Sequence, residues 1–202
     1  MSAADVVIIA SGGANIASLK VALDRLGASS EVSADPAVVS GARRALLPGV
    51  GAAADAMARL RAAGLVEVIR EYRRPLLGIC LGMQLLYERS EEGDSPCLGL
   101  LAGDVRRIPR APGRSVPHMG WNTCEARRAD PLLEGIGTAE YFYFLHSYAA
   151  PANDLCSATV DYGEPWCAVA ASRNFHGVQF HPERSGTAGS RVLRNFLELR
   201  CG

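Results

Sequence analysis

The stretch PLLGICLGMQLL (Pro75 to Leu86) changes from a strand pattern to a helix pattern at a single cysteine. Pro75 to Cys80 is an apolar run that predicts a buried strand, and Leu81 to Arg89 predicts a helix. Gly78-Ile79-Cys80-Leu81-Gly82 therefore has the glycine-x-nucleophile-x-glycine form of a sharp strand-to-helix turn. Such a turn lifts the cysteine off the sheet, and the two glycines leave room for neighbouring backbone and for substrate. The pattern predicts that Cys80 is a nucleophile.

Two neighbours of Cys80 would assist such a nucleophile. The helix N-terminus behind Cys80 favours a thiolate over a thiol, and the amide of Leu81 is placed to stabilise an oxyanion. Gln84 lies four residues beyond Cys80, on the same face of the helix, where its amide could hold a polar substrate beside the sulfur. The alternative is a buried structural cysteine between packing glycines, with Gln84 at the surface. These residues alone leave both interpretations open.

Outward from this turn, the first half of the chain alternates short β-branched runs with helical patterns. Strands are predicted at Val6 to Ala10, near Glu31 to Ser33 and at Arg44 to Leu47, and helices at Asn15 to Leu26, Ala52 to Ala63 and onward to about Tyr72. In the second half the runs YFYFLHSY, LCSATV, AVAAS and FHGVQF are close-set, which favours antiparallel pairing, and a last helix is predicted at about Thr187 to Arg200. The expected fold is one α/β domain over residues 1–202, with three layers and a mixed, mostly parallel sheet.

Composition and charge exclude several classes of protein. The chain has 202 residues, of which 49% are apolar and 21% are charged, as in globular proteins that bury a core. Lys plus Arg and Asp plus Glu both number 21, so no basic excess points to nucleic acid. The local basic cluster fits either a solvated loop or a face for an anionic partner or a phosphorylated substrate. Its members are Arg106, Arg107, Arg110 and Arg114.

The cysteines and the N-terminus bear on cofactors and location. No two of the six cysteines form a C-x-x-C pair, so we expect no zinc site, and no other metal or cofactor is indicated. The N-terminal segment MSAADVVIIASGG has no basic residues, and its apolar run is too short for a signal peptide. No stretch reaches the ~20 apolar residues of a membrane span. We therefore expect a protein of the reducing cytoplasm that does not bind membranes.

A cysteine nucleophile needs an imidazole as its base, and His181 is the leading candidate among the four histidines. It follows the run FHGVQF, and Glu183 comes two residues later, so both side chains could line one cleft if the chain is extended. A carboxylate beside an imidazole fixes its tautomer and supports its charged form. His176 lies within the strand and is the lesser candidate. The His-x-Glu pair is a weak signal alone and gains its value from the cysteine turn upstream.

Three segments together resemble a known family. GICLGMQLL around Cys80, LPGVGA (Leu47 to Ala52) and GVQFHPERSG (Gly177 to Gly186) resemble, in order and spacing, the motif regions of class I, triad-type glutamine amidotransferases. The resemblance spans nearly the whole chain and implies a flavodoxin-like fold, with a triad that releases ammonia from glutamine through a thioester. The residues it implies are Cys80, His181 and Glu183 for the triad, Val50, Gly51 and Leu81 for the oxyanion hole, and Gly51, Gln84, Ser147 and Tyr148 for glutamine binding.

Two features resemble the glutaminase subunits of imidazole glycerol phosphate synthase. PHMGWN (Pro117 to Asn122) resembles the segment that faces the cyclase barrel in that family, and His146-Ser147-Tyr148 resembles its glutamine-pocket strand. A plain sheet strand is the alternative for the latter. The resemblance implies a heterodimer with a (β/α)-barrel cyclase in histidine biosynthesis, and its interface residues would be His118, Met119, Gly120, Trp121, Asn122 and Arg184. Large apolar side chains suit an interface core, although they could instead fill the core of this domain.

Two departures from the family and three competing functions remain. The family's Y-G-x-G-N pattern appears as Ser11-Gly12-Gly13-Ala14-Asn15, and the lysine common after H-P-E is Arg184, which bonds with a different geometry. The chain could serve another synthase, such as those of the anthranilate or pyridoxal phosphate pathways, or cleave γ-glutamyl peptides without a partner. The third possibility is a non-catalytic binding protein on the same fold, which would be expected to lack the His-x-Glu pair.

Overall fold

The computed structural model describes residues 4–12 and 15–200 and is built on one eight-stranded sheet. Its strands are β1 (Val6–Ile9), β2 (Ser30–Ser33), β3 (Ala45–Gly49), β4 (Leu76–Cys80), β9 (Glu125–Ala126), β12 (Cys156–Asp161), β13 (Pro165–Ser172) and β14 (Phe175–Val178). The spatial order is β2-β1-β3-β4-β14-β13-β12-β9. The first five strands in this order run parallel, and the last three extend the sheet by antiparallel pairing. The predicted mixed, mostly parallel sheet is thus confirmed.

Helices cover both faces of this sheet. They are α1 (Ile16–Arg25), α2 (Pro36–Gly41), α3 (Ala53–Ala62), α4 (Leu65–Arg70), α5 (Leu81–Leu86) and α6 (Gly186–Glu198). Successive residues of β1 point to opposite faces, so Val7 and Ile9 join the core under α2 to α5, whereas Val6 and Ile8 join the core under α1 and α6. The result is the three-layer arrangement expected for a parallel sheet.

Two small sheets stand beside the main one. The strands β5 (Arg89–Ser90), β6 (Ser95–Pro96), β7 (Asp104–Arg107) and β11 (Tyr148–Ala149) form a four-stranded sheet in the order β11-β7-β5-β6. The strands β8 (His118–Thr123) and β10 (Tyr141–His146) form an antiparallel pair. The segment PHMGWN therefore contributes most of the strand β8, which was not among the strands predicted from the sequence. Across the described ranges, no helix has the length and apolarity that a membrane span requires.

Several predicted boundaries are wrong for local reasons. The helix α2 was not predicted, although Asp35 accepts a hydrogen bond from the amide of Ala37 and Pro36 occupies the first helical position. The helix α5 ends at Leu86 because the chain enters β5 soon after, at Arg89. The strand β3 continues through proline to Gly49, with β4 as its neighbour there. Gly13 and Ala14, which belong to the N-terminal segment that departs from the family's Y-G-x-G-N pattern, lie outside the described residues. Cys201 also lies outside them.

Glycines allow the turn between β4 and α5 to pack directly on β3. A Cβ atom at Gly82 would overlap the carbonyl oxygen of Leu47, and one at Gly78 would lie 2.6 Å from the carbonyl oxygen of Gly82. Both contacts are with backbone, which cannot move aside as a flexible side chain can. The Gly-x-Cys-x-Gly spacing therefore reflects backbone-to-backbone packing, and this packing sets the position of Cys80.

We expect Gly82→Ala to lower the free energy of unfolding by more than about 2 kcal/mol and to abolish activity, because the added methyl group forces α5 away from β3. Gly41→Ala is the matched control, since nothing lies within 4 Å of a Cβ there and alanine is the better helix former. Urea unfolding of both variants measures the difference. Equal stability of the two variants would contradict the packing argument.

Candidate active site

A cavity of about 450 Å³ opens where the parallel strands β3 and β4 end. The carboxyl edge of a parallel sheet is the usual place for a binding site in an open α/β fold. Cys80 ends β4, and the loop after β3 lies beside it because Gly49 is the register partner of Cys80. The cavity is lined by Asn15, Val50, Gly51, Cys80, Leu81, Gln84, Glu92, Pro117, Leu145, His146, Ser147, Tyr148, His181 and Arg184.

The backbone of Cys80 is held in an unusual conformation. Its φ of 54° lies in the left-handed region, which residues with a Cβ atom rarely adopt. This backbone conformation projects the side chain away from the sheet. The sulfur is nearly buried, 3.6 Å from the carbonyl oxygen of Leu145, and accepts a hydrogen bond at 3.8 Å from Nε2 of Gln179. The turn predicted from the Gly-x-Cys-x-Gly motif is therefore present.

His181 joins Cys80 to Glu183. Its Nδ1 lies 2.9 Å from Oε1 of Glu183, and His181 lines the same cavity as Cys80. Burial alone would lower the pKa of His181, but the hydrogen bonds and negative charge of its two partners raise it to about 10. The imidazole thus carries a proton between the sulfur and a buried carboxylate.

Asn15 completes this array from behind. Its side-chain amide donates to the same oxygen of Glu183 that accepts from His181. Asn15 precedes α1 with a φ of 92°, a conformation that asparagine tolerates better than most residues. The carboxylate is therefore fixed by two donors, and its orientation does not depend on the imidazole alone.

His176 lies elsewhere in the fold. It is buried within β14, where its register partner is Leu77, three residues before Cys80 on β4. Burial lowers the pKa of His176, although the nearby Asp130 opposes this. Its side chain does not line the cavity. The geometry therefore favours His181 over His176 as the base.

The residues predicted for the oxyanion hole and for glutamine binding lie in the same cavity. Leu81 is the first residue of α5, so its amide has no partner within the helix. Gly51 has a φ of 89°, which favours glycine in the loop after β3. Ser147 links β10 to β11, and Tyr148 begins β11. Both N–H groups of Gln84 are used within the protein, so its carbonyl oxygen remains available to a substrate.

Glu92 and Gln179 were missed by the sequence analysis. Glu92 lines the cavity, and its Oε2 accepts a hydrogen bond from the amide of Ala53 at the start of α3. In the sequence it sits in the acidic run ERSEEGD, which is indistinguishable from a solvated loop. Gln179 is fully buried, two residues before His181. A polar residue in the apolar run FHGVQF was the available signal.

The pair of strands β8 and β10 presents an apolar outer face beside the cavity. Met119 is 65% exposed and Trp121 is 56% exposed, so neither fills the core of the domain. Trp121 meets the ring of Tyr143 edge-on at 5.8 Å, and the guanidinium of Arg184 lies over the Tyr143 ring, 4.4 Å from its centroid. Leu145 belongs to this face and also lines the cavity.

Strand alternation divides the residues predicted for the partner interface between the two sides of β8. His118, Gly120 and Asn122 alternate with Met119 and Trp121, and so they belong to the inner side of β8. The side chain of His118 is 3% exposed, and that of Asn122 donates to the carbonyl of Asp161. The His118 side chain therefore lies inside the domain, and the predicted place of His118 at the partner interface stays a prediction. We define the outer face by Met119, Trp121, Tyr141, Tyr143, Leu145 and Arg184.

Within residues 4–12 and 15–200, no cluster of three His, Cys, Asp or Glu side chains is arranged to hold a metal ion. The five described cysteines are all free thiols. Of these, Cys80 alone lines the cavity.

Comparison with known proteins places these features in one family. Residues 7–199 match the family model described as glutamine amidotransferase class-I. The chain is 52% identical over 195 residues to a protein of Xanthomonas axonopodis pv. citri named imidazole glycerol phosphate synthase subunit HisH, covering 96% of this chain and 98% of that one. A protein of the same name from Xylella fastidiosa is 50% identical over the same shares. A solved structure described as a glutamine amidotransferase superposes with a TM-score of 0.75 at 24% identity, covering 96% of this chain and 97% of that chain, which supports the fold.

We expect Glu183→Gln to lower the pKa of His181 from about 10 towards its ordinary value, because the variant removes the adjacent negative charge. Since the folded pKa lies above the unfolded value near 6.5, His181 contributes stability below that pH, and this contribution is lost as the pH rises towards 10. Between pH 6.5 and pH 9, the free energy of unfolding of the variant should therefore fall by less than that of the wild-type protein.

Imidazole NMR titration and urea unfolding at the two pH values measure these effects. His176 is the internal control, because its pKa is lowered by burial and should not change in the variant. An unaltered pKa of His181 would show that Glu183 does not support its charge.

Proposed function

The chain belongs to the class I glutamine amidotransferase family, and we propose that it is the glutaminase subunit of imidazole glycerol phosphate synthase, in histidine biosynthesis. Relatives that carry this name are 50 to 52% identical to it over nearly their whole length. The observation that carries the proposal is that Cys80 and the hydrogen-bonded pair of His181 and Glu183 meet at one cavity, beside an exposed apolar face. We also propose a cytoplasmic location, which suits the free thiols of the described cysteines.

The first half-reaction forms a thioester. The sulfur of Cys80 attacks the side-chain amide carbon of glutamine, and the carbonyl electrons move to oxygen. The amide of Leu81 and the loop carrying Val50 and Gly51 stabilise this oxyanion. His181 then donates its proton to the amide nitrogen, the C–N bond breaks, and ammonia leaves a γ-glutamyl thioester on Cys80. A raised pKa suits this step because the imidazolium proton is already present.

The second half-reaction returns the enzyme to its starting state. His181 removes a proton from water, and the resulting hydroxide attacks the thioester carbon through a second oxyanion. The C–S bond breaks, glutamate is released, and the proton of water remains on His181. Glu183 supports the positive imidazole in both halves, and Asn15 keeps that carboxylate in place.

The walls of the cavity suit an amino acid with a polar side chain. We assign Ser147 and Tyr148 to the α-carboxylate, since these residues of the connection between β10 and β11 line the cavity. Glu92 is suited to the α-ammonium, because it supplies a carboxylate to the same cavity. The carbonyl of Gln84 can accept a hydrogen bond from a substrate N–H. Binding would then involve both ends of glutamine.

The outer face favours a synthase subunit over a free-standing hydrolase. Ammonia set free in neutral water is largely protonated and lost, so a synthase gains from a glutaminase docked beside it. Met119 and Trp121 are large, exposed and apolar, and residues of these types are enriched in interface cores. We propose that the outer face binds a (β/α)-barrel cyclase, with Arg184 next to the catalytic array. A hydrolase without a partner would need no such face.

We expect Cys80→Ala to abolish glutamine hydrolysis, because no other described cysteine lines the cavity. Synthesis by the complex from ammonium salts should remain, since that route bypasses the thioester. Steady-state assays with glutamine and with ammonium test this directly. Loss of both activities in a variant that still binds the cyclase would contradict the assigned role.

We expect Trp121→Ala to weaken binding to the cyclase by about tenfold or more while changing the melting temperature little, as for an exposed interface anchor. Val32→Ala is the matched control, because Val32 is an exposed apolar residue on β2, an edge strand of the main sheet that is not part of the outer face. Calorimetry gives the affinity, and glutaminase turnover is measured with and without cyclase and its nucleotide substrate. Equal turnover in both conditions, with Trp121→Ala altering the melting temperature alone, would support a free hydrolase instead.

A further inference from the structure

A continuous run of buried and partly buried hydrogen bonds extends from the start of β8 to the nucleophile. Nδ1 of His118 lies 3.3 Å from Nε2 of His146, whose Nδ1 lies 2.9 Å from the carbonyl oxygen of Tyr148. The same oxygen accepts from Nε2 of Gln84 at 2.7 Å, and that nitrogen also donates to Oε1 of Gln179 at 3.1 Å. Nε2 of Gln179 in turn donates to the sulfur of Cys80 at 3.8 Å. We call this run the histidine–glutamine chain: His118, His146, the Tyr148 carbonyl, Gln84, Gln179 and Cys80.

The Tyr148 carbonyl fixes the direction of the histidine bonds. A carbonyl oxygen can accept but not donate, so Nδ1 of His146 must carry the hydrogen. In a neutral ring Nε2 of His146 is then an acceptor, and the hydrogen between the two rings must come from Nδ1 of His118. Both tautomers therefore follow from one backbone group.

The same carbonyl fixes the amide bonds. It accepts from Gln84, so the Gln84 nitrogen faces it and the other N–H of that nitrogen points to the oxygen of Gln179. The amide nitrogen of Gln179 is then on the side of Cys80 and can donate to the sulfur. A hydrogen bond donated to sulfur stabilises a thiolate more than a thiol, because the thiolate is the stronger acceptor.

Burial keeps both histidines in the neutral form that the chain requires. Burial lowers the pKa of His118 to about 4, and burial together with the charges of His118 and His181 lowers the pKa of His146 to about 3. The ring of His118 is also stacked between those of Tyr162, at 3.9 Å, and Phe144, at 4.8 Å. It therefore moves with the strands that hold it.

We propose that His118, His146 and Gln179 are positioning residues, which tie β8 to the Tyr148 carbonyl, the Gln84 amide and the sulfur of Cys80 through the histidine–glutamine chain. The proposal rests on the proposed function, in which the outer face of β8 binds the cyclase. Because His118 and its neighbours Met119 and Trp121 share one strand, a shift of that strand on docking changes the bond to His146. The histidine–glutamine chain carries the shift to the Tyr148 segment, which lines the cavity, and to the nucleophile.

Two substitutions of His118 separate this role from packing. His118→Phe retains a ring between Tyr162 and Phe144 but leaves Nε2 of His146 without a donor. His118→Asn loses the stacked ring but places an amide N–H near the position of Nδ1. We expect kcat/KM for glutamine in the cyclase complex to fall about three- to tenfold in His118→Phe, the equivalent of one buried hydrogen bond. His118→Asn should remain within about twofold of wild type, although it melts at a lower temperature than His118→Phe.

Gln179→Met tests the other end of the chain. Methionine keeps a side chain of similar volume but removes the N–H that donates to the sulfur. We therefore expect alkylation of Cys80 by iodoacetamide at pH 7 to slow about three- to tenfold. Mass spectrometry of the Cys80 peptide gives the rate. His176→Asn is the matched control, because it alters a buried histidine of β14 outside the chain and should change neither the alkylation rate nor kcat/KM.

Activity that follows melting temperature across the His118 variants, with His118→Asn worse than His118→Phe, would overturn the proposal and leave these residues a packing role. An unchanged alkylation rate in Gln179→Met would also overturn it. Failure of the proposed function is seen separately, as wild-type turnover that does not respond to the cyclase. In that case KM for glutamine in the isolated protein is compared between the two His118 variants. Equal KM values would contradict the positioning role of the histidine–glutamine chain.

Discussion

The close contact between the Cys80 turn and β3 is the constraint on which the rest of the site depends. Gly82 packs against the backbone of Leu47 with no room for a methyl group, so α5 starts directly above the sheet. Cys80 must then adopt a φ of 54°, a conformation that costs about 1–3 kcal/mol and persists because its neighbours determine it. The same contact places the loop after Gly49 beside the sulfur, and β14, the other neighbour of β4, leads into the segment that carries His181.

The features that the sequence predicted correctly are those that rest on local chemistry. Short apolar runs alternating with helical patterns predicted four of the five parallel strands, and the glycine spacing predicted the turn at Cys80. The fifth, β14, lies in a run that was expected to pair antiparallel; it does so with β13 but pairs parallel with β4. The strand β8 was missed because its alternation is inverted, with His118 inside and Met119 and Trp121 outside. Sequence patterns assume that apolar residues face inwards, and this assumption fails in β8, where large apolar side chains are exposed and a histidine is buried.

The remaining omissions depend on tertiary structure. Glu92 reaches the cavity because β5 and β6 fold the acidic run back towards α3, where its carboxylate meets the amide of Ala53. Nothing in the run ERSEEGD distinguishes it from its acidic neighbours. Gln179 acquires a role because Gln84 and Cys80, distant in the chain, converge on its amide. The sequence could mark it as a polar residue in an apolar run but could not identify its partners.

The two-stranded sheet β8–β10 connects the outer face to the catalytic base. A pair of strands is marginally stable alone, so one face must pack on the protein. Phe142 does so by stacking on Phe180 at 4.1 Å, and Phe180 immediately precedes His181. The backbones are also joined, because the amide of His181 donates to the carbonyl of Tyr143 at 2.9 Å. Tyr143 is the residue whose ring contacts Trp121 and Arg184 on the outer face. A partner bound there, as proposed, would contact the residue that holds the backbone of His181, while the inner side of the same sheet is joined to Cys80 through His118 and the histidine–glutamine chain.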